Sequence, residues 1–332
     1  MTTTTILGAG AMGTACAWVL AQHAGNKVRL WGRNPEYVRQ LAETRENSRL
    51  LPATQLPASI LVTSDAAQAL ADAQVVYWCM PMRGLRDALH LLQGLIPANS
   101  TQVSTIKSIE NDSLLRPSEI LRQLLPNRPI TALGGPCHAE EIVRRKPASI
   151  VAAASDPGAA EQIQSLMSTD FLRIYANSDL VGVELAAALK NVIAIAAGIC
   201  DGLELGDNAK AALITRGLSE MVRFGEALGV RPTTFYGLAG LGDLVTTCNS
   251  SHSRNRHVGE QLGRGRPLRD IESSMAAVAE GVSTARSVHQ LALKNSIEMP
   301  ISDQVFQVLF SNKSPREATM ELMNRPLKSE MS

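Results

Sequence analysis

Apolar positions in the first half of the chain fall in short runs rich in β-branched and aromatic residues, each followed by a stretch with helical spacing. Eight runs read as strands: residues 3–7, 28–31, 60–63, 75–79, 102–105, 130–133, 149–153 and 172–175. This alternation is the signature of a parallel sheet covered by helices on both faces. Helix starts are marked by Ser64 before 65–70, and by Ser155 with Pro157 before the segment ending at Met167. From about residue 181 the strand pattern stops and long helical stretches follow at 181–200, 208–228 and 284–295. Ser302 precedes a further helix at 303–310, and Ser314-Pro315-Arg316-Glu317 has the form of a capping box with proline at the first helical position. The expected class is α/β, with a doubly wound sheet over 1–178 and an all-α domain over 179–332. No repeat, low-complexity tract or flexible linker separates the two, so they are expected to pack closely.

Residues 181–200 are apolar enough to suggest a membrane span, but Glu184, Lys190 and Asn191 interrupt them. Central charges cost roughly 2.5–3.5 kcal/mol each on insertion, so the segment reads as a buried helix and no membrane insertion is expected. Residues 1–10 lack a basic stretch followed by an apolar one and run directly into the first strand. The 332 residues exceed one ordinary domain of about 100–200. Lysine and arginine number 32 against 31 acidic residues, so no global charge draws the chain to nucleic acid or anionic lipid. Five scattered cysteines without a C-x-x-C pair argue against a disulfide framework or zinc site, and fit a reducing cytoplasm.

The first strand runs into Gly8-Ala9-Gly10-Ala11-Met12-Gly13, a G-x-G-x-x-G that opens a helix read through His23. The first glycine makes the tight turn, the second lets backbone approach a pyrophosphate, and the third permits close helix packing. At the start of a βαβ unit this is a dinucleotide-binding, Rossmann-type arrangement. An NAD-selective site places an acid at the end of the second strand, but here that strand ends in Gly32-Arg33-Asn34 and no acid follows before Glu36. Arg33 suits a 2′-phosphate, so NADP(H) is expected in preference to NAD(H). Met80-Pro81, Lys107 and Gly134-Gly135-Pro136 also follow strands, where ligand crevices open in such sheets.

No G-x-S-x-G, H-E-x-x-H or G-x-x-x-x-G-K-[ST] is present, which removes serine hydrolase, zincin and nucleotide triphosphatase readings. His138-Ala139-Glu140 matches half of a deaminase signature, but no P-C-x-x-C follows. A nicotinamide enzyme needs a group that exchanges a proton with the reacting oxygen. Lys190, with Asn191 beside it in an apolar run, is the candidate because low dielectric lowers an amine's pKa; a lysine snorkelling from a helix face is the plainer reading of the same residue. A second polar island, Gly240-Leu241-Gly242-Asp243 with Thr247, offers a carboxylate to hold that amine. A third, residues 250–257 with Ser253, Arg254 and Asn255, suits a phosphate monoester at a helix start. Neither interleaved aromatics nor a wide basic field supports nucleic-acid binding there.

These islands in order, together with Gly135-Pro136-Cys137-His138-Ala139-Glu140-Glu141, Leu189-Lys190-Asn191-Val192 and Glu280-Gly281, resemble the bacterial-type NAD(P)-dependent glycerol-3-phosphate dehydrogenases over nearly the whole chain. The resemblance implies a soluble cytoplasmic homodimer without metal that mainly reduces dihydroxyacetone phosphate for glycerophospholipid synthesis. It implies that Lys190 exchanges the proton of the C2 hydroxyl, with Asn191, Asp243 and Thr247 around the reacting end. Arg254 and Asn255 would hold the phosphate, Ser253 would be a further substrate-binding residue, and Lys107 would touch substrate and cofactor. Gly135 and Cys137 would line the substrate crevice. Gly8, Gly10, Ala11, Met12, Gly13, Arg33, Lys107, Ala139, Arg254, Val278 and Glu280 would line the cofactor. Met12 stands where an aromatic residue is common, and Cys137 where serine or threonine is usual. A thiol is the weaker hydrogen-bond donor. The competing readings are a two-domain 3-hydroxy acid dehydrogenase and an NADPH-binding sensor without turnover.

Overall fold

In the computed structural model, which describes residues 1–275, 277–327 and 329–330, the eight expected strands form one sheet. They are β1 (Thr2–Leu7), β2 (Asn26–Trp31), β5 (Leu61–Thr63), β6 (Val75–Trp78), β7 (Thr101–Ser104), β8 (Ile130–Gly134), β9 (Ala148–Ala154) and β10 (Leu172–Asn177), while β3 (Glu46–Asn47) and β4 (Leu51–Gln55) make a separate hairpin. The sheet order is β10-β9-β8-β7-β6-β1-β2-β5. Every pairing in it is parallel except β8 with β9, which is antiparallel. This corrects the all-parallel expectation. Residues Ile150–Ala154 of β9 are all buried, and a strand that is apolar on both faces reads the same whichever way it runs.

Helices α1 (Ala11–Leu20), α2 (Pro35–Thr44), α3 (Ala66–Leu70), α4 (Leu85–Leu92), α5 (Pro117–Leu124), α6 (Ala139–Ile142) and α7 (Pro157–Met167) accompany the sheet. Apolar clusters form on both sides of it, one around Leu20, Leu30 and Tyr77, the other around Trp78, Leu85 and Leu121. Two of the expected caps shift by one residue. Asp65, not Ser64, accepts from the amides of Ala67 and Gln68, and Asp156, not Ser155, accepts from Gly158. In each case the carboxylate one position later reaches the free amides of the first turn. α1 ends at Leu20 and a turn carries the chain on to β2, so the helix stops short of His23.

The helical half comprises α8 (Leu180–Gly202), α9 (Asp207–Ala227), α10 (Pro232–Phe235), α11 (Asp243–Asn249), α12 (Arg254–Gly263), α13 (Leu268–Ser274), α14 (Glu280–Lys294), α15 (Pro300–Phe310) and α16 (Pro315–Met323). A π-helical turn, Leu238–Gly242, leads into α11. α14 begins four residues before the expected 284. α15 starts at Pro300, so Ser302 lies inside it and is not its cap. Proline fixed the start, and the amides of Ile301 and Ser302 are instead satisfied by the buried Glu220 carboxylate of α9, at 2.5 and 3.1 Å. The capping box of Ser314 and Glu317 forms as read.

α8 is the axis of this half. By length and composition it is apolar enough to cross a membrane, yet 94% of its apolar window lies inside the protein. Its Glu184 accepts from the Ser118 amide at 2.8 Å and from Arg116 at 2.6 Å, which ties α8 to the start of α5. Against its other side lies α12. Gly198 and Gly202 of α8 meet Gly259 and Gly263 of α12, and a Cβ at Gly198 would strike the Arg256 carbonyl, as one at Gly259 would strike that of Ile195. The two backbones touch with no side chain between them, and this sets where the start of α12 stands relative to Lys190.

Candidate active site

The carboxyl ends of β1, β2, β6, β7 and β8 share one edge of the sheet, and strand order reverses between β1 and β6, the place where such sheets open a crevice. Gly8 has φ +118°, and a Cβ on it would strike the Cys79 carbonyl, while one on Gly13 would strike the carbonyl of Gly8. A Cβ on Gly10 would meet nothing within 4 Å. The loop is therefore compressed on its inner side and open outward. α1 leaves it with no side-chain cap and no acid in its first turn, so its amides and dipole are available to an anion. These features fit the pyrophosphate of a dinucleotide. Ala139 packs in one cluster with Ala11 and Ala15, and Met12 is half-buried beside them. Arg33 is exposed directly after Gly32.

Sequence reasoning missed what braces this loop. Asn47, at the hairpin, donates to the Ala9 carbonyl at 3.2 Å and to the Thr14 hydroxyl at 2.8 Å. Tyr37 in turn donates to the Asn47 side-chain oxygen at 2.5 Å. No local signal distinguishes Asn47 from an ordinary turn residue.

Across the crevice, α8 presents Lys190, and α11 presents Asp243 and Thr247; all three are at least 95% buried. Lys190 Nζ donates to Asp243 Oδ1 at 3.0 Å and to Thr247 Oγ1 at 2.7 Å. Lys107, past the end of β7, donates to the other carboxylate oxygen of Asp243 at 2.7 Å, to the Gly135 carbonyl at 2.9 Å and to Cys137 Sγ at 3.1 Å. Cys137 thus receives a hydrogen bond from a cation, a role a thiol fills without being a good donor. Gly135 turns at φ +107° to bring its carbonyl there.

A chain of amides completes the link between the halves. Asn191 donates to the Lys107 carbonyl at 2.8 Å, Asn255 donates to Asn191 Oδ1 at 2.8 Å, and the Gly281 amide donates to Asn255 Oδ1 at 2.9 Å. Glu280 accepts from the Met82 amide at 3.1 Å. Ser253 caps α12 by accepting from Arg256, and the exposed Arg254 donates to the Val278 carbonyl at 3.0 Å. Lys107, Gly135, Cys137, Lys190, Asn191, Asp243, Thr247 and Asn255 therefore form one hydrogen-bonded cluster. Ser253, Arg254, Val278 and Glu280 flank it, whereas Arg33 stands apart at the end of β2.

The electrostatics separate the two lysines. Burial pulls Lys190 below the usual ammonium range; Asp243 opposes this, and the Lys107 charge reinforces it. Burial acts on Lys107 in the same sense, but Asp243 and Cys137 outweigh it and hold that ammonium above its ordinary value. Burial would raise Asp243, yet the two ammoniums bring its carboxyl below the usual range. The cluster thus sets one carboxylate, held below its usual range, between an ammonium held above its ordinary value and one drawn below it. Among the described residues no group of three or more His, Cys, Asp or Glu is placed to hold a metal ion.

Known proteins resemble the chain over nearly its whole length. Residues 3–160 match the family described as NAD-dependent glycerol-3-phosphate dehydrogenase N-terminus, and residues 179–320 match its C-terminus. The glycerol-3-phosphate dehydrogenase (NAD(P)+) of Citrifermentans bemidjiense is 47% identical over 328 residues, 98% of each chain. That of Bacillus cereus is 43% identical over 334 residues, covering 100% of this chain and 98% of the relative. The crystal structure of glycerol-3-phosphate dehydrogenase from Coxiella burnetii superposes with a TM-score of 0.94 at 35% identity, over 98% of this chain and 99% of that one.

Proposed function

We infer that this chain, which belongs to the family of NAD-dependent glycerol-3-phosphate dehydrogenases, interconverts sn-glycerol 3-phosphate and dihydroxyacetone phosphate with NAD(P). The observation that carries the reading is the placement of Lys190, a buried amine hydrogen-bonded to Asp243 and Thr247, within the cluster that joins the glycine-loop half to the helical half.

When bound, the nicotinamide accepts or supplies the hydride. The protein does the rest. Gly8 to Gly13 and the start of α1 hold the pyrophosphate, and Arg33 favours NADP(H) by pairing with a 2′-phosphate. Ser253, Arg254 and Asn255 hold the substrate phosphate at the start of α12, which sets the C2 carbon near Lys190. During oxidation neutral Lys190 takes the C2 hydroxyl proton; during reduction its ammonium returns it. Asp243 aims the amine, and Lys107 keeps Asp243 ionised while lowering the proton affinity of Lys190. Asn191 and Asn255 lock the two halves at this distance. The division of labour follows 1–178 and 179–332. We assign the chain to the cytoplasm as a homodimer that reduces dihydroxyacetone phosphate for glycerophospholipid synthesis, without metal, nucleic-acid or membrane partners.

A 3-hydroxy acid dehydrogenase of the same plan would reduce 3-keto acids, and a sensor would bind NADPH without consuming it. Following NADPH absorbance after adding dihydroxyacetone phosphate, and separately 3-keto acids, tests all three. Oxidation with the triose phosphate alone is the expected result; oxidation with 3-keto acids alone, or with neither, would overturn the assignment.

A further inference from the structure

Beside the lysine cluster stands an imidazole that the reaction as described does not use. His138 follows Cys137, the acceptor of Lys107, in the segment between β8 and α6. Its ring lies 5.7 Å from that of His252, tilted by 51°, and His252 belongs to the loop that runs into Ser253 and Arg254. The pair therefore bridges the two halves, from the loop beside the lysine cluster to the start of α12.

The Nε2 atom of His138 is buried without a hydrogen-bond partner among the described residues. Most buried polar atoms in folded proteins are paired; the unpaired atoms of Thr4, Tyr77 and Thr131 lie in the sheet, whereas this nitrogen stands beside the lysine cluster, where a ligand would bring it a partner. Burial first, then the ammoniums of Lys190 and Lys107, disfavour the charged ring, against the carboxylates of Glu140 and Asp243. The ring is thus neutral near pH 7 and offers one donor and one acceptor nitrogen. On the dehydrogenase reading, on which this step rests, the substrate must span the gap from Lys190 to Arg254; His138 adjoins Cys137 of the lysine cluster, and its ring partner His252 is two residues from Arg254. If ring packing against His252 were its whole role, neither nitrogen would be needed.

We propose that His138 is a substrate-binding residue whose Nε2 hydrogen-bonds a phosphate oxygen of the bound triose phosphate, with His252 packed against the ring to hold its orientation.

The full-length enzyme, His138→Phe and His138→Gln test it through four quantities: kcat, KM for dihydroxyacetone phosphate, KM for NADPH, and the inhibition constant of inorganic phosphate competing with the triose phosphate. Phenylalanine keeps the ring and removes both nitrogens, while the glutamine amide nitrogen reaches the position of Nε2. His138→Phe should raise KM for the triose phosphate about tenfold, the scale of a hydrogen bond lost from a buried site. The phosphate inhibition constant should rise in parallel, with kcat and the NADPH KM within about twofold of wild type. His138→Gln should recover most of the loss. Unchanged triose-phosphate KM in the phenylalanine variant would overturn the proposal, as would an unchanged phosphate constant, a glutamine variant as weak as the phenylalanine one, or a loss confined to NADPH. Failure of the dehydrogenase reading itself is seen separately, as a wild-type enzyme that does not turn over dihydroxyacetone phosphate.

Discussion

Lys107 and Lys190 bind opposite oxygens of a single carboxylate, that of Asp243, at 2.7 and 3.0 Å. They come from different halves of the chain and are driven in opposite directions, Lys107 up and Lys190 down. As the proposed proton carrier, Lys190 must be neutral to take the proton in oxidation, so kcat/KM for glycerol 3-phosphate should fall as pH drops through its pKa. The Lys107 charge lowers that pKa. In Lys107→Met this repulsion is gone and Asp243 is left to Lys190 alone, and both changes favour the ammonium. The acidic limb of the oxidation profile should therefore move to higher pH. A limb that stays in place would show that Lys107 does not tune the proton carrier.

Removing the carrier itself is the more direct test. Lys190→Ala should lower kcat by about 10²-fold or more, the usual scale of general acid–base assistance. NADPH affinity, measured by fluorescence titration, should be nearly kept, because the glycine loop is untouched. Near-normal turnover would assign the proton to another group.

What could be read in advance depended on how local the physical cause is. Gly8 and Gly13 announce themselves because steric closeness at a strand-to-helix turn admits little else, Gly10 because a bare backbone lets an anion approach, and Lys190 because a charge in an apolar run is costly unless it is held. The direction of β9 could not be read, since a strand buried on both faces carries no polarity in its pattern. Asn47 gives no local signal because its partners, the Ala9 carbonyl and the Thr14 hydroxyl, lie far away in sequence, and His138 stands out only in a half-matched signature because its ring partner His252 is equally remote. The caps Asp65 and Asp156 were misplaced by one residue because serine and aspartate stand side by side and only the turn geometry chooses between them. The Gly198/Gly202 and Gly259/Gly263 spacings were visible, but nothing in either helix alone says that they face each other.

Arg33 is exposed just past Gly32, at the end of the second strand where an NAD-selective site carries an acid. Arg33→Asp should raise the KM for NADPH more than that for NADH, because it removes a partner of the 2′-phosphate and adds a like charge. Steady-state measurements with the two cofactors decide the matter, and equal effects on both would remove Arg33 from cofactor selection.

The contact between α8 and α12 leads to a prediction about function as well as stability. A methyl group at Gly259 would strike the Ile195 carbonyl, so Gly259→Ala must push α12 away from α8. Overpacking of this kind costs about 1–3 kcal/mol and should lower Tm by several degrees. Because Ser253, Arg254 and Asn255 sit at the start of α12, the displacement also carries the proposed phosphate-binding end away from Lys190. KM for dihydroxyacetone phosphate should rise more than KM for NADPH, whose pyrophosphate is held by the loop on the far side of the crevice. Gly265→Ala provides the comparison. Gly265 has φ +84°, a strained position for alanine, but no atom lies within 4 Å of its added Cβ. It should cost stability without moving the substrate constant. If the two variants changed the substrate KM equally, the effect of Gly259 would be one of general destabilisation, and the close helix contact would not be what positions the phosphate site.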